Sequence, residues 1–172
     1  RNECKELLFV VEREADGREP LVRCINFGLD GIQSFSFTLE EERSAVLVPA
    51  GQVGTYLYEP NASVLKAGAF KQIAVRTGVK KLQVNSHLYT ADHLVSDFPG
   101  RRFRVDEVLS FTGKLCKGLS KTIPQANITV RNFPLSVEEL RKRTKITDGG
   151  HVYLFATTLV DGEKVLVKCS KA

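Results

Sequence analysis

Residues 103–144 read FRVDEVLSFTGKLCKGLSKTIPQANITVRNFPLSVEELRKRT, and the period of their apolar positions changes three times. Phe103 to Phe111 is rich in β-formers and predicts a strand. Ser110 or Thr112 can cap a helix after it, in which Leu115, Cys116, Leu119 and Ile123 fall on one side and Lys114, Lys117 and Lys121 on the other. Pro124 stops that helix, because proline has no N–H to donate. Ile128-Thr129-Val130-Arg131 alternates as a strand, with Arg131 outward. Ser136 with Glu139 three residues later forms a capping box, and Leu135 can staple to Leu140, so a second helix starts at a well-defined point.

Downstream, Val152-Tyr153-Leu154-Phe155-Ala156 and Lys164-Val165-Leu166-Val167-Lys168 flank Asp161-Gly162, the signature of a tight hairpin. The order β-α-β-α-β-β predicts an α+β fold: small mixed or antiparallel sheets with helices packed on one face.

Upstream, Asn61 after Pro60 is placed to cap a helix. Leu65, Ala69 and Ile73, beside Phe70 and Ala74, line one face of it, and Gly78 supplies a left-handed end. Leu88-Tyr89-Thr90 is read as extended, and Phe98-Pro99-Gly100 as a boundary. At the start of the chain, Leu7-Leu8-Phe9-Val10-Val11 and Leu21-Val22-Arg23-Cys24-Ile25 bracket Asp16-Gly17-Arg18, which predicts a hairpin. Ser34-Phe35-Ser36-Phe37-Thr38-Leu39 alternates as a half-buried strand. Glu40-Glu41-Glu42 reads as a solvated loop or a helix start.

Composition restricts the chemistry. No apolar run approaches the length of a membrane span, and the charged start is unlike a signal peptide, so a cytoplasmic protein without membrane contact is expected. The 172 residues contain no methionine, which reads as a fragment of a longer protein. Cys4, Cys24, Cys116 and Cys169 form no zinc spacing and are expected to be buried thiols. His87, His93 and His151 are too few for a metal site. No nucleotide-binding glycine loop, nucleophile elbow or zinc-protease motif is present, and Gly28-Leu29-Asp30-Gly31 lacks the helix that a phosphate loop would feed.

Charge is asymmetric. Residues 1–50 carry 6 lysines and arginines against 10 carboxylates, a net of −4, whereas residues 101–172 carry 14 against 7, a net of +7. In that last third, Arg101, Arg102 and Arg104 precede the lysine stripe, and Arg141-Lys142-Arg143 with Lys145 crowd the end of the second helix. Cations gathered on one side attract a polyanion through counterion release. The competing explanation is a solvated face together with cations that stabilise a helix C-terminus. Aromatic residues do not interleave with the cations, so a folded RNA backbone suits the pattern better than unpaired bases.

Several stretches are familiar as wholes: Glu3-Cys4-Lys5-Glu6-Leu7-Leu8, the run from Tyr56 to Gly68 that contains Glu59-Pro60-Asn61-Ala62-Ser63, Asn85-Ser86-His87-Leu88-Tyr89-Thr90, and Val130-Arg131-Asn132-Phe133-Pro134-Leu135-Ser136 continuing to Arg141. In order along nearly the full chain, they resemble the C-terminal part of bacterial class I S-adenosylmethionine-dependent methyltransferases that end in ferredoxin-like and THUMP-like domains. The resemblance implies that residues 1–55 are trailing strands of, or a connector from, the methyltransferase domain. Residues 56–100 would form the small ferredoxin-like domain and residues 101–172 the THUMP-like domain.

By analogy with RNA-docking THUMP domains, the resemblance also implies a structured RNA partner, tRNA included, and an upstream methyltransferase domain in cis that uses S-adenosylmethionine. This fragment would hold no cofactor, metal or catalytic residue of its own. The expected RNA contacts are Lys114, Lys117, Lys121, Arg131, Arg141, Lys142, Arg143 and Lys145. The alternative is a structural or oligomerisation platform that touches no nucleic acid.

Overall fold

The structure, a computed structural model, describes residues 3–13, 17–28 and 31–172. Strand β1 (Leu21–Gly28) pairs antiparallel with β2 (Gly31–Thr38), with Cys24 opposite Phe35 and Val22 opposite Phe37. This corrects the hairpin expected around Asp16-Gly17-Arg18, where Asp16 lies outside the described residues. Residues 7–11 form no strand and are exposed, and β1 takes β2 as its partner instead. The alternation of β1 and β2 explains the choice: both turn one apolar face, with Cys24 and Phe37 at 3% and 0% exposure, onto a common core. The three glutamates open helix α1 (Leu39–Ser44), which is fixed by a capping box between Thr38 and Glu41.

Strand β3 (Tyr56–Pro60) leads into α2 (Ala62–Ala67) and α3 (Gln72–Thr77). The single helix expected after Asn61 is therefore broken in two. Gly68 adopts φ 79°, a left-handed conformation that ends α2, and Gly78 ends α3 at φ 73°. Asn61 occupies the cap position without capping; its amide donates to Gln33 Oε1 at 2.8 Å and so ties the helix start to the loop side of β2. The short strands β4 (Lys80–Lys81) and β5 (Tyr89–Ala91) follow.

The last third runs β6 (Gly100–Ser110), α4 (Gly113–Thr122), β7 (Asn127–Arg131), α5 (Val137–Thr144), β8 (Tyr153–Thr158) and β9 (Lys164–Lys171), the order read from the sequence. β7 and β8 are parallel and the other neighbours antiparallel, so the sheet is mixed. All seven strands from β3 onward form one sheet in the order β4-β5-β3-β6-β9-β8-β7. β6 makes it continuous, because its first half pairs with β3 while its length pairs with β9.

Register assigns the two faces. Tyr58, Tyr89, Leu154, Ala156 and Leu166 share the face covered by all four helices from α2 to α5, in two separate clusters. Leu57, Phe103, Phe155, Val167 and Cys169 share the other face, closed by Ala50, Leu82 and Leu88 from the loops. β3 and β7 lie four strand spacings apart, roughly 19 Å in a flat sheet. Yet Arg131 Nη2 donates to Glu59 Oε1 at 2.9 Å, and Asn132 Nδ2 to Gln83 Oε1 at 2.9 Å. The sheet is thus curled around this second core, and its opposite margins touch.

Candidate nucleic-acid interface

Helix α4 is positioned by its ends and its buried stripe. Thr112 Oγ1 accepts from the Leu115 N–H at 3.1 Å, Cys116 and Leu119 are buried, and Ile123 is buried just beyond the helix. That orientation leaves Lys114, Lys117 and Lys121 exposed on the opposite side. In α5, Ser136 and Glu139 form the reciprocal capping box, while Leu140 and Thr144 are buried. Lys142 and Arg143 therefore point outward, and Lys145 sits exposed at the left-handed C-cap with φ 61°.

The two helices pack against each other. Burial raises the pKa of the Cys116 thiol, and the positive charge of Arg143 opposes that rise across the helix pair. The Glu139 carboxyl is held below its usual range by the Ser136 backbone N–H, with Arg143 and Lys142 adding to the effect. None of Lys114, Lys117, Lys121, Lys142, Arg143 and Lys145 has an ion-pair partner among the described residues. An open groove of about 550 Å³ runs alongside α4, floored by Leu115 and Leu119 and rimmed by Ser110, Thr112, Lys114 and Thr122.

Arg131 and Arg141 do not join this surface. Glu59, only 1% exposed, receives Arg131 from β7 and Arg101 from β6. Arg141 pairs with Asp148 and donates to the carbonyls of Ala126 and Ile146, each at 3.2 Å. Both arginines, expected as RNA contacts, are thus engaged in ion pairs within the chain, unlike the other six. Local periodicity places Arg131 outward, but the curl of the sheet carries it onto a carboxylate from a strand more than seventy residues earlier.

A second polar cluster had no signal in the sequence. The Lys81 side chain is buried; its Nζ donates to the Val84 carbonyl at 2.7 Å, lies 3.2 Å from His87 Nδ1 and sits 4.8 Å from the centre of the Phe70 ring. Burial pulls the Lys81 ammonium down to about 8, against the opposing charge of Glu42. His87 stacks on Phe70 with ring centres 4.0 Å apart, and burial, aided by Lys81 and Arg131, pushes it down to about 4. With Lys81 only 2% exposed, this is a sealed structural cluster rather than a place where substrate could meet an amine.

Cys24, Cys116 and Cys169 are buried free thiols, but Cys4 is exposed. Among the described residues no three metal-ligating side chains converge. No helix there is long and apolar enough to cross a membrane. The positive-φ glycine Gly31 opens strand β2 and not a helix, so no helix N-terminus follows it. No methyl-transfer step is assigned to these residues.

Residues 56–99 match the ferredoxin-like domain family, and residues 100–171 match the THUMP domain-like family. Among solved structures, a Porphyromonas gingivalis W83 protein described as a "putative methyltransferase" is similar over 87% of this chain, with 48% sequence identity and a TM-score of 0.83. This chain spans 37% of the length of that protein. No curated protein matches the sequence.

Proposed function

We propose, from the premise that this chain carries a ferredoxin-like domain joined to a THUMP domain-like domain, that it docks a structured RNA for a methyltransferase domain in the same polypeptide. The observation that carries this reading is the set of six exposed cations on the adjacent helices α4 and α5 with no ion-pair partner among the described residues. Fixed positive charges spaced along two rigid helices suit the phosphates of a folded RNA, tRNA being the natural first candidate. The affinity comes largely from counterions released by the nucleic acid.

Methyl transfer itself, with S-adenosylmethionine as donor, belongs in this reading to the attached domain. Holding the RNA on one module raises its effective concentration at the other by tethering alone. Lys114, Lys117, Lys121, Lys142, Arg143 and Lys145 would position the RNA, and they carry no role in bond making.

The test is a filter-binding titration of the protein with total tRNA at 50 and 200 mM salt. Binding that weakens by a factor of roughly 10³ over this range, as expected for about six phosphate contacts, supports docking. Changing Lys114, Lys117 and Lys121 together to glutamate should lower low-salt affinity at least tenfold, with the folding midpoint preserved. Affinity unchanged by that triple substitution would select the other reading, a structural platform. The use of Arg131 and Arg141 as internal fasteners is the observation that favours the platform.

A further inference from the structure

An open cleft of about 320 Å³ lies at the β4–β5 margin of the sheet, and no residue of α4 or α5 lines it. One wall is the loop 50–54, which is pinned at both ends. The Ala50 N–H donates to the Lys81 carbonyl at 2.8 Å, and the Gly54 N–H donates to Thr90 Oγ1 at 2.8 Å. Between these anchors, the N–H groups of Gly51, Gln52 and Val53 have no acceptor among the described residues. Position 54 requires glycine, since a Cβ there would stand 2.7 Å from Asp92 Oδ1 and 3.0 Å from the Ala91 carbonyl oxygen. That close approach sets the loop against the end of β5.

The facing wall is equally well held. Tyr58 donates its hydroxyl to the His93 carbonyl at 2.9 Å and accepts from the Val95 N–H at 2.9 Å, which fixes the turn that carries Asp92 and His93. Lys80 pairs directly with Thr90 across β4 and β5, so their side chains share a face, and Lys80 lines the cleft together with Asp92 and His93. Lys80, Asp92 and His93 are all exposed, and none of them forms an ion pair among the described residues. A rigid frame thus presents one unmatched cation and one unmatched carboxylate to the same space.

We propose that this cleft binds a small zwitterion of the α-amino acid class, with its ammonium on Asp92 and its carboxylate on Lys80 and the amides of Gly51, Gln52 and Val53. Charge balance selects this class. A simple anion would be repelled by Asp92 and a simple cation by Lys80, whereas a zwitterion matches both. Successive backbone N–H groups in a loop favour the anionic end on the Lys80 side. The volume is at the small end for ligand pockets, which suits a single amino acid rather than a dinucleotide.

The test is a titration of the isotope-labelled chain with L-serine, read from backbone amide shifts, with sodium acetate and methylammonium chloride as the two half-ligands. L-Serine should move the Gly51, Gln52, Val53 and Asp92 amides saturably with a Kd of about 1 mM, and each half-ligand should bind at least tenfold more weakly. Asp92→Asn should weaken L-serine tenfold or more without weakening acetate, and Lys80→Gln should weaken both. Unchanged amide shifts in β8 and β9 establish that each variant is folded. The proposal is overturned by the lack of a saturable shift up to about 20 mM L-serine. It is also overturned by acetate binding as tightly as L-serine, the mark of a plain anion site, or by L-serine affinity that survives Asp92→Asn. Since α4 and α5 take no part, the outcome leaves the RNA-docking reading to its own titration.

Discussion

Glu59 decides more than any other single residue. It is 1% exposed and carries two arginines, Arg101 on the neighbouring strand and Arg131 from the far margin of the sheet. Removing one partner of a buried ionic group leaves the others unmatched, a loss of ~3–5 kcal/mol in a sealed site. The arginine side chains are 43% and 34% exposed, so solvent screens the loss. Glu59→Ala should then lower the unfolding free energy by about 2 kcal/mol, measured by urea denaturation.

His87 sets an acid dependence. Its folded pKa, near 4, lies below the unfolded value of about 6.5, so the unfolded chain binds more protons between those limits. Stability contributed by neutral His87 is present above pH 6.5 and is lost as the pH falls toward 4. Urea midpoints between pH 7 and 4 should drop. His87→Asn, which tolerates the φ of 51° at this position without titrating, should remove that part of the slope.

At the scale of the element, helix ends were the most legible feature. The Ser136/Glu139 box, the Thr112 cap and the Gly78 terminus follow from a few adjacent residues, and the structure contains all three. Ser136→Ala should cost about 1 kcal/mol in thermal or chemical unfolding. Lys145, a branched-free cation in the left-handed region, gives a more pointed test. Lys145→Gly should raise stability by roughly 0.5–1 kcal/mol by relieving that conformation, and should weaken tRNA binding two- to threefold at low salt by removing one phosphate contact. The failures at this scale share a cause. Residues 61–77 have helical spacing throughout, but the backbone freedom of Gly68 lets the chain turn so that Val64 and Ile73 reach the same core. Residues 7–11 look like a hairpin arm in isolation, yet β2 offers β1 a better-matched alternating face.

At the scale of the whole molecule, strand β6 of the THUMP domain-like segment pairs with β3 of the ferredoxin-like segment, so the two segments form one curled seven-stranded sheet. The Glu59–Arg131 and Gln83–Asn132 contacts close its margins. Breaking the sheet between the segments would expose Phe103 and Phe155, whose rings meet at 4.9 Å in the core beneath it. Residues 56–171 should therefore unfold in one cooperative transition, with circular dichroism and tyrosine fluorescence giving coincident urea curves. Two separated transitions would show that the segments are energetically independent.

The sequence by itself determined the order of elements in the last third, the caps that start α4 and α5, the sidedness of α4 and the excess of positive charge. Each of these depends on residues within a few positions of one another, where periodicity and capping act directly. Only the tertiary structure decided which cations stay free. Arg131 and Arg141 are indistinguishable from their neighbours in a list of charges, but the curl of the sheet brings the distant Glu59 against Arg131, and the turn after α5 brings Asp148 back against Arg141. Ion pairing depends on distance through space, and that distance is set by the packing of the two cores.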